Sequence, residues 1–276
     1  MTANRDWSGS SGDLWARRWR DTDRALREVG AALDSAVLDA APNGPLAALD
    51  VGCGPGTTAL ALAAARPDAS VLGCDLSQAL VALARDRAAG IRNVQFVASD
   101  AEQVAREHGP FDLIYSRHGV MFFDDPVRAF ATLRNAATGG GRLVFSCFQN
   151  WELNPWASEL AAAAASEAIE APGREPGPFA FADPQHVRRI LASAGWMQAE
   201  PRALSFTYVA GEGGSAIDDA LSFMVELGPA SRLLESRPLG EREAGIERMR
   251  QLISSHERGG RVAFPAAAWI WSARAG

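Results

Sequence analysis

The chain contains no lysine, so all 27 of its basic side chains are arginines. This absence excludes several kinds of active site. A phosphate-binding P-loop needs the Lys of G-x-x-x-x-G-K-[ST], and Schiff-base and pyridoxal-phosphate enzymes need a lysine amine. A protein-kinase core needs a lysine on its third strand. None of these sites can be present in its standard form.

Cysteines and long apolar runs are also scarce. Cys53, Cys74 and Cys147 form no C-x-x-C pair, so the sequence predicts neither a zinc site nor a disulfide framework. Unbroken apolar runs are short, as at residues 59–65, whereas a transmembrane helix needs about 20 apolar residues. Residues 1–7 lack the apolar core of a secretion signal. We therefore expect a cytoplasmic protein with no membrane partner.

Acidic side chains outnumber basic ones by 33 to 27, which gives a net charge of -6. Proteins that bind duplex nucleic acid usually present a basic face, so this balance disfavours nucleic acid as a partner. Apolar residues make up 47% of the chain, enough for a large buried core. The length suits one domain with insertions or at most two domains, and it leaves the oligomeric state open.

Strands and helices alternate between residues 46 and 148. Short apolar runs predict five strands, at residues 46–51, 70–74, 93–98, 111–115 and 142–147. Helical patterns occupy residues 57–65, 77–89 and 126–136, and the glycines at 139–141 are expected to turn the chain into the fifth strand. This alternation is typical of an α/β fold with a parallel sheet covered on both faces.

The flanking segments are mainly helical. Residues 13–41 predict one helix, and later helical patterns occupy residues 151–170, 184–195, 217–227 and 241–255. Two further strand-like runs, at residues 203–209 and 261–274, bring the expected number of strands to seven. The helical stretch 212–260 lies between these last two strands, where it would be placed as a lid.

A glycine-rich loop follows the first predicted strand. Residues 50–57 read D-V-G-C-G-P-G-T and lead into a helix. Alternate glycines permit close approach of a ligand, and the helix N-terminus offers free N–H groups. The dinucleotide fingerprint G-x-G-x-x-G needs its third glycine at position 57, which is Thr57. With Asp50 in front, the loop resembles instead the first motif of class I S-adenosylmethionine-dependent methyltransferases.

Further matches to this family follow the later strands. Asp75 ends the second strand, where a carboxylate can accept the hydroxyl protons of a ribose. Asp100 follows the third strand, and residues 111–116, F-D-L-I-Y-S, resemble the family's fourth motif. Residues 116–126, S-R-H-G-V-M-F-F-D-D-P, and the W-x-G-x-x-G-x-x-W at 7–15 resemble a bacterial branch that acts on small molecules.

The resemblance implies S-adenosylmethionine as cofactor, a small-molecule methyl acceptor and a Rossmann-like fold. That fold is a mostly parallel seven-stranded sheet with helices on both faces and a helical lid between its last two strands. The cofactor-binding residues implied in the same way are Trp15, Asp50, Gly52, Cys53, Gly54, Asp75, Leu76, Asp100, Ala101, Ser116 and Arg117.

Each strand end has an expected role in this assignment. The glycine loop would line the methionine portion, Asp75 and Leu76 the ribose, and Asp100 with Ala101 the adenine. Ser116 and Arg117 would lie near the methionine end. Trp15 would either close over the amino-acid end of the cofactor or simply pack its helix.

A single methyltransferase domain is therefore expected over residues 1–276. It would comprise an N-terminal helical segment (1–45), a cofactor-binding core (46–148), two insertions that cover the substrate (149–183 and 212–260) and a last strand (261–276).

His118 follows the fourth strand, where an acceptor would approach the cofactor. An imidazole with a pKa near 6.5 suits proton removal at neutral pH, which makes His118 the candidate catalytic residue. The alternative is a loop histidine that lines the pocket without proton transfer. Metal-dependent methylation needs acidic ligands at this strand end, and because residues 116–118 read S-R-H, we predict no metal.

The aromatic residues after the core motifs have two possible roles. They would either wall an apolar acceptor site or belong to the core. These residues are Phe122, Phe123, Trp151, Trp156, Phe179 and Phe181.

These features together predict an enzyme that transfers a methyl group, by in-line attack, to a small apolar or aromatic acceptor. A nicotinamide-dependent oxidoreductase is the first alternative, disfavoured by Thr57 and by the lack of the lysine of a Tyr–Lys reductase pair. A non-catalytic protein that binds the cofactor is the second. An RNA methyltransferase is disfavoured by the acidic charge. The sequence leaves open the acceptor and the atom that is methylated.

Overall fold

The computed structural model describes residues 7–276, so the first six residues of the predicted N-terminal segment lie outside the described residues. One sheet has the strand order β3-β2-β1-β4-β5-β7-β6. The first five strands run parallel, and β7 is antiparallel to both β5 and β6. The strands are β1 Leu46–Val51, β2 Ala69–Asp75, β3 Val94–Ala98, β4 Phe111–Arg117, β5 Ala137–Phe148, β6 Trp196–Glu212 and β7 Arg261–Ala275.

Helices cover both faces of the sheet. Connections between parallel strands are right-handed, so the helices that connect β1, β2 and β3 lie on one face and those that connect β4 and β5 lie on the other. The described helices are α1 Ser10–Arg17, α2 Trp19–Ala25, α3 Arg27–Ala40, α4 Thr57–Ala65, α5 Gln78–Arg87, α6 Ala101–His108, α7 Pro126–Asn135, α8 Pro155–Ala165, α9 Pro184–Ser193, α10 Ala216–Glu226, α11 Pro229–Glu235 and α12 Leu239–Ser255. This architecture confirms the predicted fold class, including the helical insertion between β6 and β7.

Local signals explain where several of these helices begin. The Ser77 hydroxyl accepts a hydrogen bond from the N–H of Leu80 at 3.2 Å and so caps α5. Asp125 caps α7 in the same way through the N–H of Arg128, and Pro126 occupies the first helical position. These caps fix the helices that follow β2 and precede β5.

The boundaries differ from the prediction at several places. The predicted helix over residues 13–41 is divided into α1, α2 and α3, with breaks at Arg18 and Leu26. Two short helices, α6 and α11, were not predicted. The strand β5 begins at Ala137, so the three glycines lie within it and do not form a turn. A register shift between Phe111 and Leu113 of β4 accommodates them.

The two insertions pack against each other above the sheet. Arg248 of α12 donates hydrogen bonds to the carbonyls of Ala163 and Ala164 at the end of α8, at 2.7 and 2.9 Å. These carbonyls have no partner within their own helix, so the arginine satisfies them. Among residues 7–276, no helix combines the length and the apolar character that crossing a bilayer requires.

Candidate active site

A cavity of about 290 Å³ opens at the carboxyl ends of β1, β2 and β4. The strand order reverses between β1 and β4, and in open α/β sheets ligands bind at such a reversal. Helices α1 and α2 contribute Trp15, Trp19 and Asp23 to its wall, so the N-terminal helices cover it.

The glycine loop between β1 and α4 adopts a conformation that side chains would obstruct. Gly52 and Gly56 have φ angles of 63° and 78°, in the left-handed region. A Cβ atom at Gly52 would lie 3.1 Å from the Cα of Gly119, and one at Gly56 would lie 2.7 Å from the ring of Phe96. The loop therefore packs directly against the segment after β4, which carries His118.

Asp75 connects the end of β2 to the glycine loop. Its Oδ2 accepts a hydrogen bond from the N–H of Gly54, and its Oδ1 accepts one from the N–H of Ser77, both at 2.9 Å. Burial raises the pKa of this carboxyl, although the backbone hydrogen bonds act in the opposite direction. Asp75 lines the cavity beside Leu76. The carboxylate thus holds the loop and keeps lone pairs for a ligand's hydroxyl groups.

Asp100 and Ala101 line the same cavity after β3. Asp100 also caps α6, because its Oδ1 accepts hydrogen bonds from the N–H groups of Glu102 and Gln103 at 2.9 and 3.2 Å. The side chain is exposed, and no described residue bonds its Oδ2 atom. Asp100 therefore caps a helix, a role that was not predicted from the sequence, and its role in cofactor binding stays a prediction.

Asp50 and Ser116 are fully buried and do not line the cavity. Thr58 donates a 2.5 Å hydrogen bond to Oδ2 of Asp50, and Oδ1 of Asp50 has no partner in the described chain. Burial raises the pKa of Asp50 to about 7. The Ser116 hydroxyl donates to the carbonyl of Val51 at 2.7 Å. Both residues were predicted to bind the cofactor, but their side chains are buried outside the cavity lining, so any influence of theirs on a ligand is indirect.

Arg117 lines the cavity in an ion pair with Asp23, a residue that the sequence reasoning did not single out. The guanidinium Nη2 lies 2.5 Å from Oδ1 of Asp23. The other oxygen of Asp23 accepts a hydrogen bond from the Thr57 hydroxyl at 2.6 Å. These bonds tie α2 to the start of α4 and to the end of β4. No local pattern marks Asp23, because its partners come from other elements of the fold.

His118 lines the cavity from a strained backbone position. Its φ angle is 61°, uncommon for a residue other than glycine. Its N–H donates to the carbonyl of Ser146 at 3.2 Å, and its Nδ1 lies 2.7 Å from the Ser146 hydroxyl. Its Nε2 is buried and has no partner among the described residues. Burial, followed by repulsion from Arg117, lowers the pKa of His118 to about 3.

The tryptophans of α1 and α2 line the cavity and also pack against neighbouring side chains. Trp15 lines the cavity and also packs against Trp7, at 5.7 Å between ring centroids. Trp19 also lines it, with the guanidinium of Arg87 4.4 Å from its ring centroid. The N-terminal wall is therefore aromatic and joined to α5.

The later aromatic residues divide between cavity and core. Phe122, Phe123 and Trp156 line the cavity, whereas the other three predicted residues, Trp151, Phe179 and Phe181, are buried outside its lining. Three lining aromatic residues were missed, namely Phe148, Tyr208 and Phe223. They belong to β5, β6 and α10, and only the assembled fold brings them together. Within residues 7–276, no cluster of three or more potential metal-ligating side chains is present.

Comparisons with known proteins relate the central part of the chain to methyltransferases. Residues 48–141 match a family model described as a methyltransferase domain. A malonyl-[acyl-carrier protein] O-methyltransferase of Herminiimonas arsenicoxydans is 36% identical over 106 residues, 38% of this chain and 38% of that protein. A trans-aconitate 2-methyltransferase of Methylobacterium radiotolerans is 33% identical over 124 residues, 45% of each chain. The chain thus spans less than half the length of these two relatives.

Solved structures share the fold at low sequence identity. The YcgJ protein of Bacillus subtilis has a TM-score of 0.56 and 17% identity, with 88% of this chain and 97% of that chain covered. A phosphoethanolamine N-methyltransferase of Haemonchus contortus in complex with S-adenosyl-L-methionine has a TM-score of 0.55 and 14% identity, with 99% and 60% covered. These structures support the fold, and the family match confirms the resemblance to methyltransferases over residues 48–141.

Proposed function

We propose that this protein is an enzyme of the class I S-adenosylmethionine-dependent methyltransferase superfamily that methylates a small apolar or aromatic acceptor, because residues 48–141 match a methyltransferase domain and the motifs of that superfamily follow the strands. S-adenosylmethionine is the cofactor of that superfamily, and when bound it supplies a methyl group on a sulfonium sulfur. The reaction is an in-line attack by the acceptor on this methyl group.

The residues at the strand ends suit this cofactor. We assign Asp75 to the ribose hydroxyls, and Asp100 with Ala101 to the adenine, because all three line the cavity. We assign the Arg117–Asp23 pair to the amino-acid end, because a zwitterion carries one charge for each partner. Asp23, Arg117 and Trp15 lie on the side of the cavity formed by α1, α2 and β4.

The acidic charge of the cavity is the main support for this proposal. Its acidic lining residues are Asp23, Asp75, Asp100, Glu102, Asp124 and Asp125. The two arginines of the lining, Arg117 and Arg128, are ion-paired with Asp23 and Glu102. Such a cavity favours a cationic sulfonium and disfavours a pyrophosphate. The hydroxyl of Thr57, moreover, is bonded to Asp23 where a dinucleotide fingerprint needs a bare glycine. A nicotinamide cofactor is therefore a poor fit.

The protein contributes mainly by positioning the two reactants. The leaving group is neutral, so no oxyanion hole is needed, and correct placement alone can supply roughly 7–11 kcal/mol in ideal cases. His118 faces the reacting region, but a pKa of about 3 keeps its imidazole neutral at physiological pH. We assign it a hydrogen-bonding role toward the acceptor and not the role of a base that ionises the acceptor before attack.

Transfer of a labelled methyl group tests this function. The protein would be incubated with S-adenosylmethionine labelled on the methyl group and a panel of small apolar and aromatic acceptors. We expect labelled product from at least one acceptor, in proportion to S-adenosylhomocysteine formed. If the protein binds S-adenosylhomocysteine but labels no member of the panel, the non-catalytic alternative replaces the enzyme proposal.

A further inference from the structure

Beyond the glycine loop, the cavity is walled by apolar side chains from several elements. We call this part the aromatic chamber, and it is formed by Met121, Phe148, Trp156, Tyr208, Phe223 and Leu227. All six side chains are buried. The ring of Trp156 lies 5.0 Å from that of Phe148 and is stacked on that of Tyr208 at 4.5 Å with an interplanar angle of 3°. The walls are therefore apolar and held by mutual packing.

His118 stands at the junction between the aromatic chamber and the glycine loop. Its ring contacts Phe148 edge to face, at 4.3 Å between centroids. The segment that carries it touches Gly52 through Gly119. A group that enters the chamber and meets His118 is therefore next to the loop assigned to the cofactor.

The aromatic chamber offers no counter-ion to an acidic acceptor. Among the described residues that line the whole cavity, the only arginines are Arg117 and Arg128. Arg117 is paired with Asp23 and is assigned to the amino-acid end of the cofactor, and Arg128 is paired with Glu102. Arg128 is also largely exposed, with 66% of its side chain accessible. Placing a carboxylate in this chamber would leave it desolvated without an ion-pair partner, a costly arrangement.

One polar group at the edge of the aromatic chamber is available to a ligand. Nε2 of His118 is buried without a partner in the described part of the chain. The phenol of Tyr208 lines the aromatic chamber, and burial raises its pKa so that it stays neutral. Buried polar atoms are normally hydrogen-bonded, so an unpartnered imidazole nitrogen facing a cavity points to a group brought by the ligand.

We propose that the acceptor is an uncharged aromatic molecule whose reacting hydroxyl donates a hydrogen bond to Nε2 of His118, and that acceptors bearing a carboxylate are rejected. This rests on the proposed methyltransferase function. It departs from the acids named for the malonyl and trans-aconitate relatives.

The proton balance is compatible with a weakly basic imidazole. As the oxygen–methyl bond forms and the methyl–sulfur bond breaks, the acceptor oxygen becomes a protonated ether, which is a very strong acid. Neutral His118 accepts that proton at Nε2 and returns it to water, and a neutral thioether and a neutral ether remain. The proposal requires the tautomer in which Nδ1–H donates to the Ser146 hydroxyl, because Nε2 then presents its lone pair.

Equilibrium binding of matched ligands tests the proposal without turnover. The wild-type protein, saturated with S-adenosylhomocysteine, would be titrated with 2-naphthol and with 2-naphthoate at pH 7, where the phenol is neutral and the carboxylate ionised. We expect 2-naphthol to bind at least tenfold more tightly than 2-naphthoate. Equal affinity, or tighter binding of the carboxylate, overturns the proposal. Failure to bind S-adenosylhomocysteine would instead contradict the proposed function, so the two failures are distinguishable.

A variant locates the hydrogen bond. His118→Asn tolerates the left-handed backbone but removes the distal nitrogen, so we expect affinity for 2-naphthol to fall about tenfold and affinity for naphthalene to change less than twofold. The matched control is His186→Asn, on α9 outside the cavity lining, with unchanged affinities. If His118→Asn weakens both ligands equally, His118 only packs, and the hydrogen-bond assignment is overturned.

Discussion

Nδ1 of His118 lies 2.7 Å from the hydroxyl of Ser146, at the ends of the neighbouring strands β4 and β5. This contact and the backbone hydrogen bond between the same two residues hold His118 in its left-handed conformation. The strained position directs the ring toward the cavity and leaves Nε2 for the acceptor. Strain of this kind persists when surrounding contacts over-determine it, and it is frequent at functional sites.

The low pKa of His118 predicts the shape of the pH–rate profile. Since burial places this pKa near 3, the imidazole is neutral throughout pH 5–8 and its charge does not change there. With the acceptor found in the panel, kcat/KM should therefore show no rise with a midpoint between pH 6 and 7. A rise with such a midpoint that disappears in His118→Asn would show that the histidine acts as an ordinary general base.

Asp75→Ala should weaken cofactor binding by tenfold or more. The substitution removes the predicted ribose acceptor and also the bond that holds the N–H of Gly54. Calorimetric titration with S-adenosylhomocysteine would measure the effect. The control is Asp68→Ala, an exposed carboxylate paired with Arg66 outside the cavity lining, for which the affinity should not change. If both variants bind S-adenosylhomocysteine with equal affinity, Asp75 does not bind the ribose.

Asp50→Asn should become increasingly stable relative to the wild type as the pH rises. The pKa of Asp50 is about 7 in the folded chain and about 3.9 when unfolded, so the unfolded chain loses its proton first. The folded state of the wild type is therefore progressively destabilised between pH 4 and 7, by up to about 4 kcal/mol. Asn cannot ionise and still accepts the hydrogen bond from Thr58.

Urea unfolding of both proteins at a series of pH values measures this difference. The free energy of unfolding of Asp50→Asn, relative to that of the wild type, should increase from pH 4 to pH 7 and then remain level. A difference that is independent of pH would mean that Asp50 ionises normally despite its burial.

Asn154→Ala should destabilise the fold by about 2–4 kcal/mol, because it leaves buried donors unpaired. The side-chain oxygen of Asn154 accepts hydrogen bonds from the N–H of Ala267 and from Nε1 of Trp156, both at 3.1 Å. It therefore joins the insertion to β7 and orients a wall of the aromatic chamber. In denaturant unfolding, Asn150→Ala serves as the control, because Asn150 is exposed and its side chain makes no cap bond. Similar effects for both variants would contradict the anchoring role.

Local sequence signals account for the parts of the fold that local chemistry determines. The run at Thr57–Ala65 forms the predicted helix between the same residues, and Ser77 caps the helix that it was expected to cap. The glycine spacing predicted the loop because its φ values are ones that only glycine adopts readily. These features depend on a few neighbouring residues and are readable without the fold.

Features that depend on distant contacts were not readable in this way. The glycines of β5 resemble a turn, but pairing with β4 draws them into the strand. Asp23 is one of two acidic residues of α2, and only the fold places it beside Arg117 and Thr57. Tyr208 and Trp156 become a stacked pair only through the packing of β6 against α8 and α10.

Calorimetric titration of the wild-type protein with S-adenosylhomocysteine, with reduced nicotinamide adenine dinucleotide as comparison, tests which cofactor the cavity binds. The cavity's acidic lining and glycine loop predict saturable binding of S-adenosylhomocysteine, near one molecule per chain, and no detectable binding of the nicotinamide cofactor. If the folded protein binds the nicotinamide cofactor and does not bind S-adenosylhomocysteine, the protein is not an S-adenosylmethionine-dependent methyltransferase.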